Sequence, residues 1–258
     1  MQALAREMRL SETTFILPRD RATEKKRGVK VRIFTPEEEL PFAGHPTLGT
    51  AFVLRDGRAK TREIVLDLKV GSIPVTFSKR TGAVFGEMRQ RDPEFGATHS
   101  PEAVARALGL PTSALDANFP VQTVSTGVAF TIVPLATLET LRTFALDWKR
   151  ANEYLEKSDS KFFYLVCRQT GDPAVTLRAR MIFYNGEDPA TGSAAGCATA
   201  WMVAHGILAP EQQGLIEQGV EMKRRSLIYV RAAKSGDRVC DVRVGGHVVE
   251  VMHGVLTL

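Results

Sequence analysis

A chain of 258 residues, 44% hydrophobic and 24% charged, is long enough for two cores of ordinary size and has the composition of a soluble globular protein. No apolar run approaches the roughly 20 residues that a membrane helix needs and no secretory signal is visible, which argues against a membrane-spanning or exported protein and sets a cytoplasmic expectation. The net charge of +5 is scattered among 29 acidic residues, and its densest clusters, Lys25-Lys26-Arg27 and Lys223-Arg224-Arg225, read as solvated loop tips at turns, so no nucleic-acid partner is expected.

Apolar residues at Met1, Leu4, Ala5 and Met8 follow a helical spacing that ends at Leu10-Ser11, before an extended run Thr13-Thr14-Phe15-Ile16-Leu17. A polar turn, a strand from Val29 to Thr35 and a helix from near His45 to about Leu54 come next. Segments around Ile64-Val65-Leu66, Ile73 to Phe77 and Val84 to Met88 alternate as an antiparallel meander. Ser100 caps a helix that runs to Leu108 with Pro101 at its first position. The stretch Pro111 to Pro120 has no period, and it divides the chain into halves of residues 1–114 and 115–258. The second half repeats the order. A strand from Val121 to Leu135 is broken by Ser125-Thr126-Gly127, one or two helices lie between Leu138 and Leu155, and strands follow from Phe162 to Cys167 and from Val175 to Tyr184. A helix then runs to about His205, and short strands close the chain at Leu215-Ile216, Leu227 to Arg231, Val239 to Val244 and Val248 to Leu258. Each half reads as a curled mixed sheet wrapped on its own helix, an α+β fold.

Two copies of one short phrase support that duplication. His45-Pro46-Thr47-Leu48-Gly49-Thr50-Ala51 and Asp188-Pro189-Ala190-Thr191-Gly192-Ser193-Ala194 each follow a strand-like run and set a polar residue and a Pro ahead of small residues, as at a helix start. Two helix starts, each with free N–H groups and a partial positive charge, can face one anion from opposite sides.

The run Ser11-Glu12-Thr13-Thr14-Phe15, the run Arg32-Ile33-Phe34-Thr35-Pro36 continuing through Glu39-Leu40-Pro41-Phe42-Ala43-Gly44-His45-Pro46-Thr47-Leu48-Gly49-Thr50-Ala51, and Glu187-Asp188-Pro189-Ala190-Thr191-Gly192-Ser193-Ala194 together resemble the PhzF family of phenazine-biosynthesis-like isomerases. The resemblance covers nearly the whole chain. It implies a diaminopimelate-epimerase-like fold of two pseudo-symmetric halves, a site in the cleft between them, a homodimer and no cofactor. It makes Glu12 the general acid/base, sets His45 and Asp188 in the same pocket, and has N–H groups near Gly44-His45 and Gly192-Ser193 hold a substrate carboxylate. That pairing of helix starts differs in register from the His45 and Asp188 alignment of the two phrases, and a Gly in each first turn, which permits close backbone approach to an anion, favours it. A carboxylate suits the task, because moving a proton between two carbons needs a base that can return what it took.

Plain readings stand beside these. Glu12 can be an exposed strand residue, and His45 and Asp188 can be helix N-caps. His99, His205, His247 and His253 show no metal-ligand spacing, so no metal is expected. Cys167, Cys197 and Cys240 include no CxxC pair, which excludes a disulfide framework, and Cys197 reads as a small core residue. The phosphate-cradling glycine motifs and the G-x-S-x-G elbow are missing, and a two-thiol epimerase would need a Cys in the first half, where residues 1–120 have none. Family chains usually begin with a further strand and a Gly-Asn-Pro-containing segment ahead of the helix at Met1. Two functions follow as expectations: a cofactor-independent isomerase of a small carboxylated metabolite, or an inactive or truncated member that only binds a small anion.

Overall fold

In a computed structural model, which describes residues 1–57, 61–80, 82–183 and 186–256, the alternating runs become strands and the phrases with small residues become buried helices. In chain order the elements are α1 (Gln2–Met8), β1 (Thr13–Leu17), α2 (Arg21–Arg27), β2 (Val29–Phe34), β3 (Glu39–Leu40), α3 (Gly44–Asp56), β4 (Glu63–Leu68), β5 (Gly71–Arg80), β6 (Ala83–Arg89) and β7 (Glu94–Thr98). There follow α4 (Pro101–Leu108), a 3-10 turn at Thr112–Ala114, β8 (Gln122–Ser125), β9 (Ala129–Leu135), α5 (Leu138–Thr143), α6 (Trp148–Leu155), β10 (Phe162–Cys167) and β11 (Leu177–Phe183). The chain continues through β12 (Gly186–Asp188), α7 (Gly192–Ala204), β13 (Gly214–Gln218), β14 (Ser226–Ser235) and β15 (Arg238–His247).

One continuous sheet runs in the order β1-β2-β4-β5-β6-β15-β14-β13-β11-β10-β9-β8-β7, with β3 paired to β2 and β12 to β11. It curls twice. The first curl packs β1, β4, β6 and β15 on α3, and the second packs β8, β9, β14 and β15 on α7. The two helices differ as their sequences demand. Gly192-Ser193-Ala194-Ala195-Gly196-Cys197-Ala198-Thr199-Ala200-Trp201-Met202-Val203 has no charged face and is buried throughout, whereas α3 keeps Val53 exposed. The seam is an antiparallel ladder of β6 on β15, from Arg89↔Arg243 to Phe85↔His247, and Arg231 Nη2 reinforces it at 2.8 Å from Glu87 Oε2.

An outer layer of α4, α5 and α6 covers the far face of β9 and β10, with Val104, Leu108, Leu141 and Leu155 packed on Val133, Phe163 and Leu165. The expected boundary at residues 114 and 115 falls between the 3-10 turn and β8. β7 pairs with β8, and α4 buries its apolar side against residues that follow it, so we place the division of the halves at residues 90–93, between β6 and β7.

Other expectations change locally. Lys25-Lys26-Arg27 is the last turn of α2 rather than a loop tip, and Asp20 caps that helix by accepting the Thr23 N–H at 2.8 Å. Pro46 is the third residue of α3, and Pro189 lies in the turn before α7, so neither opens its helix. Residues 248–256 form no strand; the expected strand ends at Tyr184 and Leu258 lie outside the described residues. Ser100 does cap α4, accepting from the Ala103 N–H at 3.2 Å.

Candidate active site

The starts of α3 and α7 meet at the seam, glycine against glycine. A Cβ built on Gly44 would lie 2.4 Å from Gly192 Cα, and one on Gly192 would lie 2.9 Å from Gly44 Cα. This fixes the register that the sequence left open: Gly44 answers Gly192 and His45 answers Ser193, whereas Asp188 precedes its helix by a turn. Neither helix start has a side-chain cap, so the plain reading of His45 and Asp188 as N-caps does not hold. Both first turns retain their partial positive charge, although the Gly192 N–H itself is given to the Ala190 carbonyl at 3.2 Å.

Three chemistry-bearing side chains converge beside this junction. Glu12 stands just before β1, His45 is the second residue of α3, and Asp188 ends β12, opposite Met181 of β11. His45 Nε2 lies 3.1 Å from Glu12 Oε2. Its Nδ1 lies 2.8 Å from the Ala190 carbonyl oxygen, which can only accept, so Nδ1 carries a proton. Asp188 Oδ1 is 4.0 Å from the same Nδ1. The Glu12 side chain is only 10% exposed, and its Oε2 receives no hydrogen bond of good geometry among the described residues. It is a buried acceptor with capacity to spare.

Glu12, His45, Asp188, Gly44 and Ser193 all line one cavity, whose remaining wall is mostly apolar, with Leu40, Phe42, Phe130, Phe162, Met181 and Phe183 beside Thr35 and Thr191. Its free volume is about 50 Å³. Gly192 does not line it. It lies behind Gly44 on the wall of a neighbouring cavity that also touches His45 and His247, and its carbonyl accepts from Gln90 Nε2 at 2.8 Å. The missing Cβ of Gly192 lets the two helix starts touch.

Ligand atoms of Glu12, His45 and Asp188 lie within 4.8 Å of one another, close enough in principle for a cation. The imidazole gives its Nδ1–H to Ala190 and turns Nε2 toward Glu12, an arrangement that can pass a proton to the carboxylate. Burial works against the imidazolium, but the charge of Glu12 and its contact with the ring, then Asp188 and the Ala190 carbonyl, outweigh it and raise the His45 pKa to about 9. In an NMR titration the His45 ring should therefore change charge near pH 9, and Glu12→Gln should bring that midpoint down. A proton held more tightly by the folded than by the unfolded chain stabilises the fold fully below about pH 6.5, and the contribution is lost as pH rises through 9. The melting temperature should fall across that window by more in the wild type than in His45→Gln; equal falls would contradict the assignment.

The remaining histidines and Cys197 take structural places. His99 bridges Tyr154 and Thr123, His205 meets Gln122, His247 meets the Val84 carbonyl and His253 meets Glu250. Cys197 is fully buried in α7, and burial pushes its thiol up to about 12, far from a nucleophile's range. Two buried amides escaped the sequence reading. Gln90 holds Gly192 and accepts from Thr126 Oγ1 at 2.6 Å, and Gln218 sits beneath Asp188.

Known proteins share this fold and sequence. An uncharacterized isomerase of Mesorhizobium japonicum is 37% identical over 99% of this chain and 88% of its own length. The trans-2,3-dihydro-3-hydroxyanthranilate isomerase of Pseudomonas aeruginosa is 34% identical over 96% of this chain and 84% of its own. The solved structure of a predicted epimerase from Pseudomonas aeruginosa superposes with a TM-score of 0.85 at 34% identity, covering 100% of this chain and 88% of that one. Such relatives make the chain an enzyme of the isomerase class. It belongs to the PhzC-PhzF family of phenazine biosynthesis-like proteins, whose model matches residues 1–254.

Proposed function

We propose that this isomerase moves a proton between two carbons of a small cyclic carboxylate, without a cofactor, with Glu12 as the base that takes the proton and the acid that returns it. The observation that carries the reading is Glu12 Oε2, buried, without a hydrogen bond of good geometry among the described residues, 3.1 Å from His45 Nε2 and facing a largely apolar cavity. The substrate carboxylate would sit at the backbone N–H groups of Gly44-His45 and Ser193, where two helix dipoles favour an anion. The C–H bond breaks toward Glu12, its electron pair is delocalised into the unsaturated ring, and the same proton is delivered to a second carbon. Glu12 ends as the carboxylate it began as. No electrons are gained or lost overall, so the balance needs no redox partner. The His45 imidazolium supports this by pairing with the Glu12 carboxylate before the first transfer and after the second, and Asp188 in turn faces His45.

The apolar wall, with four phenylalanines among its residues, suits a ring rather than a chain of polar groups. The similarity to the Pseudomonas aeruginosa trans-2,3-dihydro-3-hydroxyanthranilate isomerase supports a substrate of that class. All the acid-base groups are present around one cavity, which favours turnover over the binding-only alternative. The test is to incubate the enzyme with trans-2,3-dihydro-3-hydroxyanthranilate in D₂O and follow the ring carbons by NMR. Isomerised product with a migrated proton, or with solvent deuterium at the new C–H, is expected. Activity that is lost on exhaustive dialysis with EDTA and restored only by added metal or cofactor would overturn the cofactor-free reading.

A further inference from the structure

Beneath Asp188 lie two polar side chains with no exposed surface, Tyr164 of β10 and Gln218 at the end of β13. The orientation of the Gln218 amide is forced. Its Nε2 lies 2.7 Å from the Asp188 carbonyl, which can only accept, and its Oε1 lies 3.3 Å from the Thr191 N–H, which can only donate. The Tyr164 hydroxyl donates to Oε1 at 2.9 Å, and burial together with the charge of Asp188 keeps that phenol protonated. The second Nε2 proton goes to Thr191 Oγ1 at 2.8 Å. With that lone pair occupied, the Thr191 hydroxyl turns its own proton onto Asp188 Oδ2 at 2.6 Å. Every donor of Gln218 is used, and the direction of each bond follows from the last.

We propose that Gln218 is a positioning residue for the active site: acting through Thr191 and the Asp188 carbonyl, it fixes the Asp188 carboxylate toward His45 and sets the turn that leads into α7. The inference rests on the acid-base reading of the site only for its importance, because the geometry it predicts can be measured without turnover. Asp188 is one of two carboxylates beside His45, with Glu12 on the other side of the ring; among the described residues the only further titratable group on the cavities touching His45 is His247. A carboxylate free to swing away would add less to the hold that Glu12 already has on the His45 proton.

The experiment is an NMR titration of the five histidines in the full-length protein, with His45 assigned from His45→Gln. Gln218→Met removes both donors at similar volume and is expected to lower the His45 midpoint by about one pH unit, the scale of one displaced neighbouring charge. Thr191→Val, which removes only the hydroxyl, should lower it by the same amount, and the double variant should go no lower. A residue that merely filled space would lower the melting temperature and leave the midpoint in place, so an unchanged His45 midpoint in Gln218→Met overturns the proposal. If that variant does not fold, Thr191→Val decides: a lowered midpoint upholds the relay and an unchanged one ends it. Loss of the acid-base reading would show separately, as activity retained by Glu12→Gln.

Discussion

Replacing Glu12 by Gln is expected to cut turnover by about 10²–10⁴-fold, the usual contribution of a general acid/base, while fold and ligand affinity stay close to wild type. Gln keeps the length and the reach of Glu12, and the side chain is nine-tenths buried in a preformed position. What it loses is the capacity to accept a proton and return it. The ion pair to His45 also goes, so the variant should carry a His45 of lower pKa as an internal sign that the substitution was made in a folded site. Solvent deuterium at the reacting carbon of trans-2,3-dihydro-3-hydroxyanthranilate gives the decisive comparison. Turnover in Glu12→Gln within a few-fold of wild type would mean that another group is the base.

The second large effect concerns a residue with no chemistry of its own. In Gly44→Ala the new methyl would sit 2.4 Å from Gly192 Cα, 2.6 Å from its carbonyl carbon and 2.8 Å from Ser193 N, all of them backbone atoms that no rotamer change can move. The helix starts must part. Overpacking of this kind costs about 1–3 kcal/mol, or roughly 2–10 °C of melting temperature for a chain of this size. A displacement approaching 1 Å at the substrate carboxylate would lower activity by about 10²-fold. Gly49 provides the control on the same helix. A Cβ there meets nothing within 4 Å, so Gly49→Ala should be neutral or stabilising by up to about 1 kcal/mol. If both alanines behave alike by calorimetry and by activity, the close contact is not what the glycine at position 44 serves.

Much of this site could be read in the chain because its parts sit on repeated local signals. Glu12, His45 and Asp188 each lie within a phrase of recognisable type, and the two small-residue helices repeat at corresponding places in the fold. The alignment of those phrases misled in one respect. Pro46 and Pro189 look equivalent, yet one is inside α3 and the other in a turn, because the contact that sets the register is glycine on glycine across the seam. Gln218 gave no signal: a polar residue at a strand end reads as facing water, and only the fold reveals that β13 is covered there. β7 was equally silent. Glu94-Phe95-Gly96-Ala97-Thr98 has no alternation of its own, and its extended form comes from pairing with β8 and from Asp159, whose Oδ2 accepts the Ala97 N–H at 2.8 Å. Its partner in the fold lies beyond the helix α4, outside any local window.

The free volume of about 50 Å³ beside Glu12 has a kinetic meaning. A dry cavity that takes up benzene measures about 150 Å³, so the proposed ring and carboxylate would need more room beside Glu12 than the resting site encloses. If the proposed ring binds there, the apolar side chains around it would have to give way, and that movement would cross a barrier before any bond is touched. On the proposed reaction, such a movement would hold capture below the diffusional ceiling and help keep water from the intermediate.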